Sequence, residues 1–340
     1  MAKAIALLSG GLDSSLAVKM MVEQGVEVHA LNFTSSFCTC NAGRKTKAAE
    51  GAGCSNGARA LAAELGIPIK TMVKGLEYME VVRSPRYGYG KGINPCIDCR
   101  IYMFKAAKEY MLEIGADFII TGEVIGQRPM SQRRDAFRTV ERESGLEGLI
   151  LRPLCAKHLD ETIPEKTGLI DRNTLMDISG RGRKPQMELA EELNITDYPC
   201  PSGGCLLTDK IFSKKVKDLL DHSPTLTIKD LQTLKVGRHF RIGGAKIVIS
   251  KNEMENTSLK GLLQPGHTLI EPFGFPGPVA IVCEDEPNGA VETAARLLFK
   301  YAPKAPQTGC RVTVTRNGEI TEMEVTSPLG EVAAKEALVC

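Results

Sequence analysis

The first apolar run, Ala4 to Leu8, stops at Ser9-Gly10-Gly11, and Leu16, Ala17, Met20 and Met21 then recur at helical spacing. That pattern predicts a strand, a loop and a helix. It repeats with a strand over 26–33, a helix over 56–65 closed by Gly66 and a strand over 67–73. A helix over 98–114 closed by Gly115 and a strand over 117–121 follow. Strands alternating with helices imply right-handed crossovers, hence an α/β fold built on a doubly wound parallel sheet. Ligands of such sheets sit at the carboxyl ends of the strands, where residues 9–15 fall. Between 128 and 201 the periodicity weakens into a stretch with scattered Arg, Gly and Pro and one clear helix, 184–193, which reads as the rim of the same unit.

A change of character follows Asp209. A Lys-rich helix over 212–220 precedes alternation with paired glycines over 237–244, a hairpin pattern. A helix over 290–301 comes next, and 311–325 alternates around Asn317-Gly318, a strong two-residue turn signal. Two domains are expected, 1–206 and a smaller α+β domain over 207–340. The length of 340 residues agrees, because single cores stop growing beyond roughly 250–300 residues.

With 43% hydrophobic and 25% charged residues the composition is that of a folded globular protein, which excludes disordered, collagen-like and coiled-coil chains. No apolar run has the length of a signal sequence or the ~20 residues of a membrane span, so a cytoplasmic protein without membrane partners is expected. The net charge of +2 hides a split. Residues 206–268 hold eleven Lys/Arg against six Asp/Glu, and 269–340 hold six against ten. Eleven cysteines without a secretory signal are better read as metal ligands or reactive thiols than as disulfides.

Ser9-Gly10-Gly11-Leu12-Asp13-Ser14-Ser15 lies between strand and helix, where backbone N–H groups and a helix N-terminus converge on an anion. The glycines let the backbone approach phosphate, and the hydroxyls of Ser9, Ser14 and Ser15 are further donors. The Gly-Lys-Ser/Thr ending of a Walker loop is absent. The string resembles the loop of the ATP pyrophosphatases (PP-loop enzymes), which cleave ATP between its α and β phosphates to adenylate an acceptor oxygen. The resemblance implies ATP and Mg²⁺ as cofactors, with Asp13 helping to hold the metal.

Cys96 and Cys99, in Asn94-Pro95-Cys96-Ile97-Asp98-Cys99, open a predicted helix, where the macrodipole favours thiolate. By themselves they fit half a zinc site, a redox pair or two ligands of an iron–sulfur cluster. Pro199-Cys200-Pro201-Ser202-Gly203-Gly204-Cys205 supplies a second half. The arrangement is similar to the tRNA thiouridine synthases, in which a cysteine after Asn-Pro pairs with one roughly a hundred residues later. Cys99 and Cys205 match that pair. Relatives that also carry a cysteine at the place of Cys96 resemble [4Fe-4S] enzymes with three protein ligands, here Cys96, Cys99 and Cys205, and one open iron; Cys200 is the rival third ligand. A dithiol would instead carry a persulfide on one cysteine and close a disulfide with the other. Cys38 and Cys40 with Cys54 form another group, either a structural zinc site completed by His29 or another residue, or simply unpaired thiols.

Thr121-Gly122-Glu123 and the stretch Gln127 to Gln132 fall at the same sheet edge, where an adenine or a substrate base would lie. Arg152-Pro153-Leu154 and Lys157 resemble the family segment that closes over the triphosphate. Arg181, Arg183 and Lys184 cluster at a helix start, a placement that a bound phosphate would explain. In the second domain Lys214, Lys215, Arg238 and Arg241, with Phe240 between the two arginines, fit backbone tracking and base stacking on RNA. Residues 247–256 and 277–282 resemble the RNA-binding domain of NFACT proteins.

The resemblances together imply ATP-dependent thiolation of a tRNA uridine, with tRNA and a sulfur donor (sulfide or a persulfide carrier) as partners; a homodimer is compatible with them. The alternatives are another adenylating PP-loop enzyme, such as an amidating ligase or a thiamine-pathway sulfur carrier, and a non-catalytic RNA-binding translation factor. The 4-thiouridine synthases carry an RNA-binding module before the loop and the 2-thiouridylases end in a different β-rich domain, so the modified position is left open.

Overall fold

A computed structural model describes residues 2–38, 54–195, 204–283 and 289–339. They divide into two compact units, Met1–Thr208 and Asp209–Cys340. The first unit runs β1 (Lys3–Leu7), α1 (Leu12–Glu23), β2 (Glu27–Ser35), α2 (Cys54–Glu64), β3 (Ile69–Lys74), α3 (Glu77–Arg83), α4 (Cys96–Glu113), β4 (Phe118–Thr121), α5 (Arg134–Ser144), β5 (Ile150–Leu151), α6 (Ile163–Lys166) and α7 (Lys184–Glu192). Its sheet is parallel throughout, in the order β3-β2-β1-β4-β5.

The apolar run of β1 has a direct structural cause. Its side chains alternate between two helical layers, so both faces need hydrophobic residues. Ala4, Ala6 and Leu8 pack into a core with Leu16, Ala17, Met20 and Met21 of α1 and Leu189 of α7. Ile5 and Leu7 pack into the opposite core with Ile97, Ile101, Phe104 and Ala107 of α4 and Val140 of α5. The strand order reverses at β1, which lies between β2 and β4. A crevice therefore opens beyond the carboxyl ends of β1 and β4.

Residues 128–195 contain more regular structure than their sequence pattern predicts. The helix α5 buries only Ala136, Phe137, Val140 and Ser144, while Arg134, Asp135, Arg138 and Arg142 stay on the outer face. A stripe that narrow is hard to see among so many charges.

The second unit runs α8 (Lys210–His222), α9 (Ile228–Thr233), β6 (Arg238–Ile242), β7 (Ala245–Ile249), α10 (Glu253–Gly261), β8 (Thr268–Phe273), β9 (Ala280–Val282), α11 (Ala290–Lys300), β10 (Cys310–Arg316), β11 (Glu319–Val325) and α12 (Glu331–Ala337). Its antiparallel sheet has the order β11-β10-β8-β9-β7-β6. Ala294, Ala295, Leu297 and Leu298 of α11 pack with Ile247, Ile249, Ile270 and Val312 of the sheet. Both expected hairpins form. Asn317 and Gly318 take φ of 49° and 88°, and Gly243 and Gly244 take 56° and 90°, the positive values that a two-residue turn between twisted strands requires. Among the described residues no helix is long and apolar enough to cross a membrane.

Candidate functional site

The loop between β1 and α1 is held open by its own side chains. Gly10 adopts a φ of 75°, and the hydroxyls of Ser14 and Ser15 donate to the Gly11 carbonyl at 2.8 and 3.2 Å. Ser14 Oγ also lies 3.0 Å from Ser9 Oγ. Ser14 and Ser15 therefore shape the turn from buried positions, and the exposed Ser9 accepts from Gly11 N at 3.3 Å. The buried Leu12 anchors the start of α1, whose first amides have no carbonyl within the helix to bond. Asp13 Oδ2 accepts from Gln127 Nε2 at 3.0 Å, while its buried Oδ1 has no hydrogen-bond partner among the described residues. A carboxylate oxygen left free beside an anion-binding loop suits a hard cation such as Mg²⁺.

The end of β4 closes against this loop. Thr121 is buried, and the Cα of Gly122 backs directly onto the main chain of Asp13 and Ser14. Glu123, 3% exposed, joins Arg100 at 3.2 Å and the equally buried Arg152 at 3.2 Å. Arg152 reaches on to Glu141 and lies over the ring of Phe137. The chain from Gly122 onward passes Gln127, which holds Asp13, and reaches Met130, whose sulfur lines Gly90 together with Cys96 Sγ. One segment thus links the phosphate loop to the first thiol.

Cys96 and Cys99 occupy the first turn of α4, as their spacing predicts. Lys74, the last residue of β3, donates to Cys99 Sγ at 3.4 Å and lies 4.7 Å from the ring centre of Tyr78. The Tyr78 hydroxyl also hydrogen-bonds Cys99, and burial followed by the charges of Cys99, Cys205 and Cys96 pushes that phenol above its ordinary range. At Cys96 burial and then Cys99 raise the thiol, with Arg100 and Arg128 opposing. Burial pushes Cys205 up to about 11, with Cys99 and Cys38 adding to it and Lys74 opposing. The three thiols therefore share one neighbourhood.

Cys38, just past β2, forms an antiparallel β-bridge with Cys205. Cys38 thus stands opposite Cys205, and His29 is hydrogen-bonded to Glu27 at 3.0 Å. Cys40, Cys200 and the thiol of Cys54 lie outside the described residues. Among the described residues no three His, Cys, Asp or Glu side chains stand close enough to share a single metal ion. A cluster several atoms across takes thiols that stand farther apart, and a soft set of three cysteines among Lys74, Arg100 and Arg128 fits its ligand chemistry.

Arg128 lies in the stretch expected at the ligand edge, but its own role as a cation was not foreseen. It remains solvent-exposed, yet loss of hydration and the facing Arg100 lower its proton affinity, while Cys96, Glu123 and Asp13 support its charge. It is thus a cation between the loop and the thiols. Lys74 was also missed, and Cys38 was named without its neighbour Cys205, although both Lys74 and Cys38 lie at or just beyond the carboxyl end of a strand, where ligands of such sheets bind.

The other expected positions divide. Gly180 N donates to the Ile125 carbonyl at 2.8 Å, which brings the loop carrying Arg181 and Arg183 beside the 125–127 segment; Lys184 is exposed at the start of α7. Lys157 spends its ammonium on the Asn173 carbonyl at 3.1 Å. In the second unit, Lys214 is exposed and Arg238 stacks on Tyr301 at 4.6 Å. Lys215 is buried and donates to the carbonyls of Leu234 and Gly237 at 3.4 and 3.0 Å. Arg241 forks onto Asp218 at 3.0 and 2.9 Å, and Phe240 is fully buried, so it is a core residue and not a stacking platform.

A parallel sheet with a Ser-Gly-Gly loop at its switch point and an unpaired carboxylate in that loop defines a nucleotide-binding α/β protein of the PP-loop class. Residues 1–167 match the family model for thiamine biosynthesis protein (ThiI), and residues 237–336 match that for the NFACT protein RNA-binding domain. The first unit is thus similar to PP-loop ATP pyrophosphatases of the tRNA thiouridine synthase type, and the second to the NFACT RNA-binding domain. It is 25% identical to the tRNA-specific 2-thiouridylase MnmA of Marinobacter nauticus, over 92% of this chain and 81% of that protein. It is 34% identical to the MnmA of Symbiobacterium thermophilum over 35% of this chain and 33% of that protein. A solved 4-thiouridine synthetase–RNA complex with bound ATP aligns over 69% of this chain and 52% of its own, at 22% identity and a TM-score of 0.37.

Proposed function

We propose that this protein uses ATP to activate a uridine of tRNA and exchanges the uracil carbonyl oxygen for sulfur. The reading rests on one continuous segment, 122–130, that runs from the wall of the phosphate loop at Gly122, through the Gln127 to Asp13 hydrogen bond, to Met130 beside Cys96. Nucleotide activation and sulfur delivery are then neighbours by construction. In this scheme the amides of the 9–15 loop would bind the triphosphate, and Asp13 would help to hold Mg²⁺. The uracil oxygen attacks the α-phosphorus with loss of pyrophosphate, and a sulfur nucleophile displaces AMP at the same ring carbon. Loop amides and Arg128 stabilise the charge that develops on phosphate.

Cys96, Cys99 and Cys205 would hold a [4Fe-4S] cluster, which when bound supplies an open iron able to carry hydrosulfide. Lys74 and Tyr78 orient Cys99 by hydrogen bonds to its sulfur. A second reading, a persulfide and dithiol pair at Cys99 and Cys205, is favoured by the ammonium that Lys74 places on Cys99. For the NFACT-like unit we assign tRNA contact to Lys214 and Arg238, and for the first unit to Arg181, Arg183 and Lys184.

The test incubates the full chain with ATP, Mg²⁺, sulfide and bulk tRNA under anaerobic conditions. It reads pyrophosphate release and, after tRNA digestion, thiouridine by mass spectrometry. Asp13→Ala should abolish pyrophosphate release with circular dichroism unchanged. Pyrophosphate release with no thiouridine in any tRNA, or an Asp13→Ala variant as fast as wild type, would reject the assignment.

A further inference from the structure

The bridge between Cys38 and Cys205 has a definite register. Leu206 N donates to the Phe37 carbonyl at 2.8 Å, so the hydrogen bond joins the residues that flank the two cysteines and not the cysteines themselves. Cys38 and Cys205 are therefore a non-hydrogen-bonded antiparallel pair. In such pairs the Cα atoms stand ~4.5 Å apart and the side chains lean together on one face of the ribbon. That separation lies inside the ~4.4–6.8 Å that a disulfide spans. Both residues are half-buried, and Ser35 Oγ lies 3.5 Å from Cys38 Sγ, which gives that thiol a polar neighbour. Neither Cys96 nor Cys99 has a main-chain pairing with Cys205, and the sulfur of Cys99 is already engaged by Lys74 and Tyr78.

We propose that Cys38 and Cys205 form a reversible disulfide, making Cys38 a fourth thiol of the site and the partner that withdraws Cys205 from sulfur chemistry. The oxidant is a low-molecular-weight disulfide. The Cys38 thiolate attacks one sulfur of that molecule, forms a mixed disulfide and expels one thiolate. The Cys205 thiolate then attacks the Cys38 sulfur, forms the Cys38–Cys205 bond and expels the second. Two protein thiols are oxidised, two small thiols are produced, and an added dithiol reverses both steps by the same exchange. The bond itself does not depend on the thiolation reading. Its consequence does, because both the cluster and the persulfide schemes need Cys205 as a free sulfur. Closing the pair would switch either one off while leaving the ATP loop intact.

The full chain, stripped of iron and reduced with dithiothreitol, is desalted, exposed to glutathione disulfide, trapped with N-ethylmaleimide and mapped by peptide mass spectrometry. The expected result is a peptide linking Cys38 to Cys205, the loss of those two alkylatable thiols, and recovery of both with dithiothreitol. Anaerobic iron and sulfide loading of the oxidised protein should fall well below that of the reduced protein. Cys38→Ser, and independently Cys38→Ala, should load equally before and after the oxidant. A link from Cys205 to Cys99 or Cys96, no intramolecular link at all, or Cys38 variants that lose loading as wild type does would each overturn the proposal. Failure of the thiolation assay leaves the peptide link unaffected, and absence of the link leaves the thiolation assay unaffected, so the two ideas fail separately.

Discussion

Gly122→Ala is the sharpest single-atom perturbation of this site. A Cβ at position 122 would fall 2.5 Å from the amide nitrogen of Ser14 and closer still to the Asp13 carbonyl group. Non-bonded heavy atoms prefer ~3.5–4.0 Å, so the loop or the end of β4 must retreat by about 1 Å. Neither side gives easily. Phe118, Ile119 and Ile120 of β4 and Leu12 and Leu16 of α1 are buried, and the obstructing atoms are backbone and cannot rotate away. Overpacking of this kind costs about 1–3 kcal/mol of stability. A ~1 Å displacement of the groups that hold a reacting phosphate costs on the order of 10²-fold in rate. The assay is ATP-dependent pyrophosphate release with saturating tRNA, beside urea unfolding followed by circular dichroism. Gly261→Ala is the control, because nothing lies within 4 Å of its would-be Cβ and its φ is not positive. The control should be neutral or stabilise by a few tenths up to about 1 kcal/mol. A Gly122→Ala enzyme that releases pyrophosphate at the wild-type rate would falsify the close packing of the loop against β4.

Glu123→Ala should destabilise the first unit by about 3–5 kcal/mol in urea titration, because it leaves the buried Arg152 guanidinium with Glu141 alone and frees Arg100; a loss under 1 kcal/mol would contradict the ion network. His239 is fully buried, with Nε2 on the Val236 carbonyl and Nδ1 without a partner among the described residues; burial, then Lys215 and Lys246, hold its pKa well below the ordinary 6.5. The unfolded chain therefore binds a proton below pH ~6.5 that the native state refuses, so stability should fall by about 1.4 kcal/mol per pH unit as pH drops below that point. His239→Leu should flatten that slope, and an unchanged slope would place the titrating group elsewhere. For RNA binding, Lys214→Gln should lower the log–log salt slope by roughly 0.7–0.9 with the fold unchanged. Lys215→Gln should instead cost about 1–3 kcal/mol of stability through the carbonyls it leaves unpaired. Equal effects of the two on binding, without loss of stability in either, would return Lys215 to the surface.

Much of the first unit was legible because its information is local. The β1 run, the Ser-Gly-Gly loop and the helical spacing of Leu16, Ala17, Met20 and Met21 are each carried by a dozen residues or fewer, and a parallel sheet buried on both faces admits little else. The hairpin at Asn317-Gly318 was equally plain, because only a few residue types accept two consecutive positive φ values. The helix α5 was not, since six of its eleven residues are charged and its core stripe is short. What only the tertiary structure decided was partnership at long range. Lys214 and Lys215 are neighbours in a basic helix, yet one is exposed and the other is drawn inside to carbonyls of Leu234 and Gly237. A helical turn places adjacent residues about 100° apart, so composition cannot say which of them faces the core. Cys38 read as part of a loop motif with Cys40 and Cys54, and nothing in that motif announced residue 205, which stands opposite it. A thiol has no local preference strong enough to announce such a partner; register between segments 167 positions apart is set by the packing of everything between them.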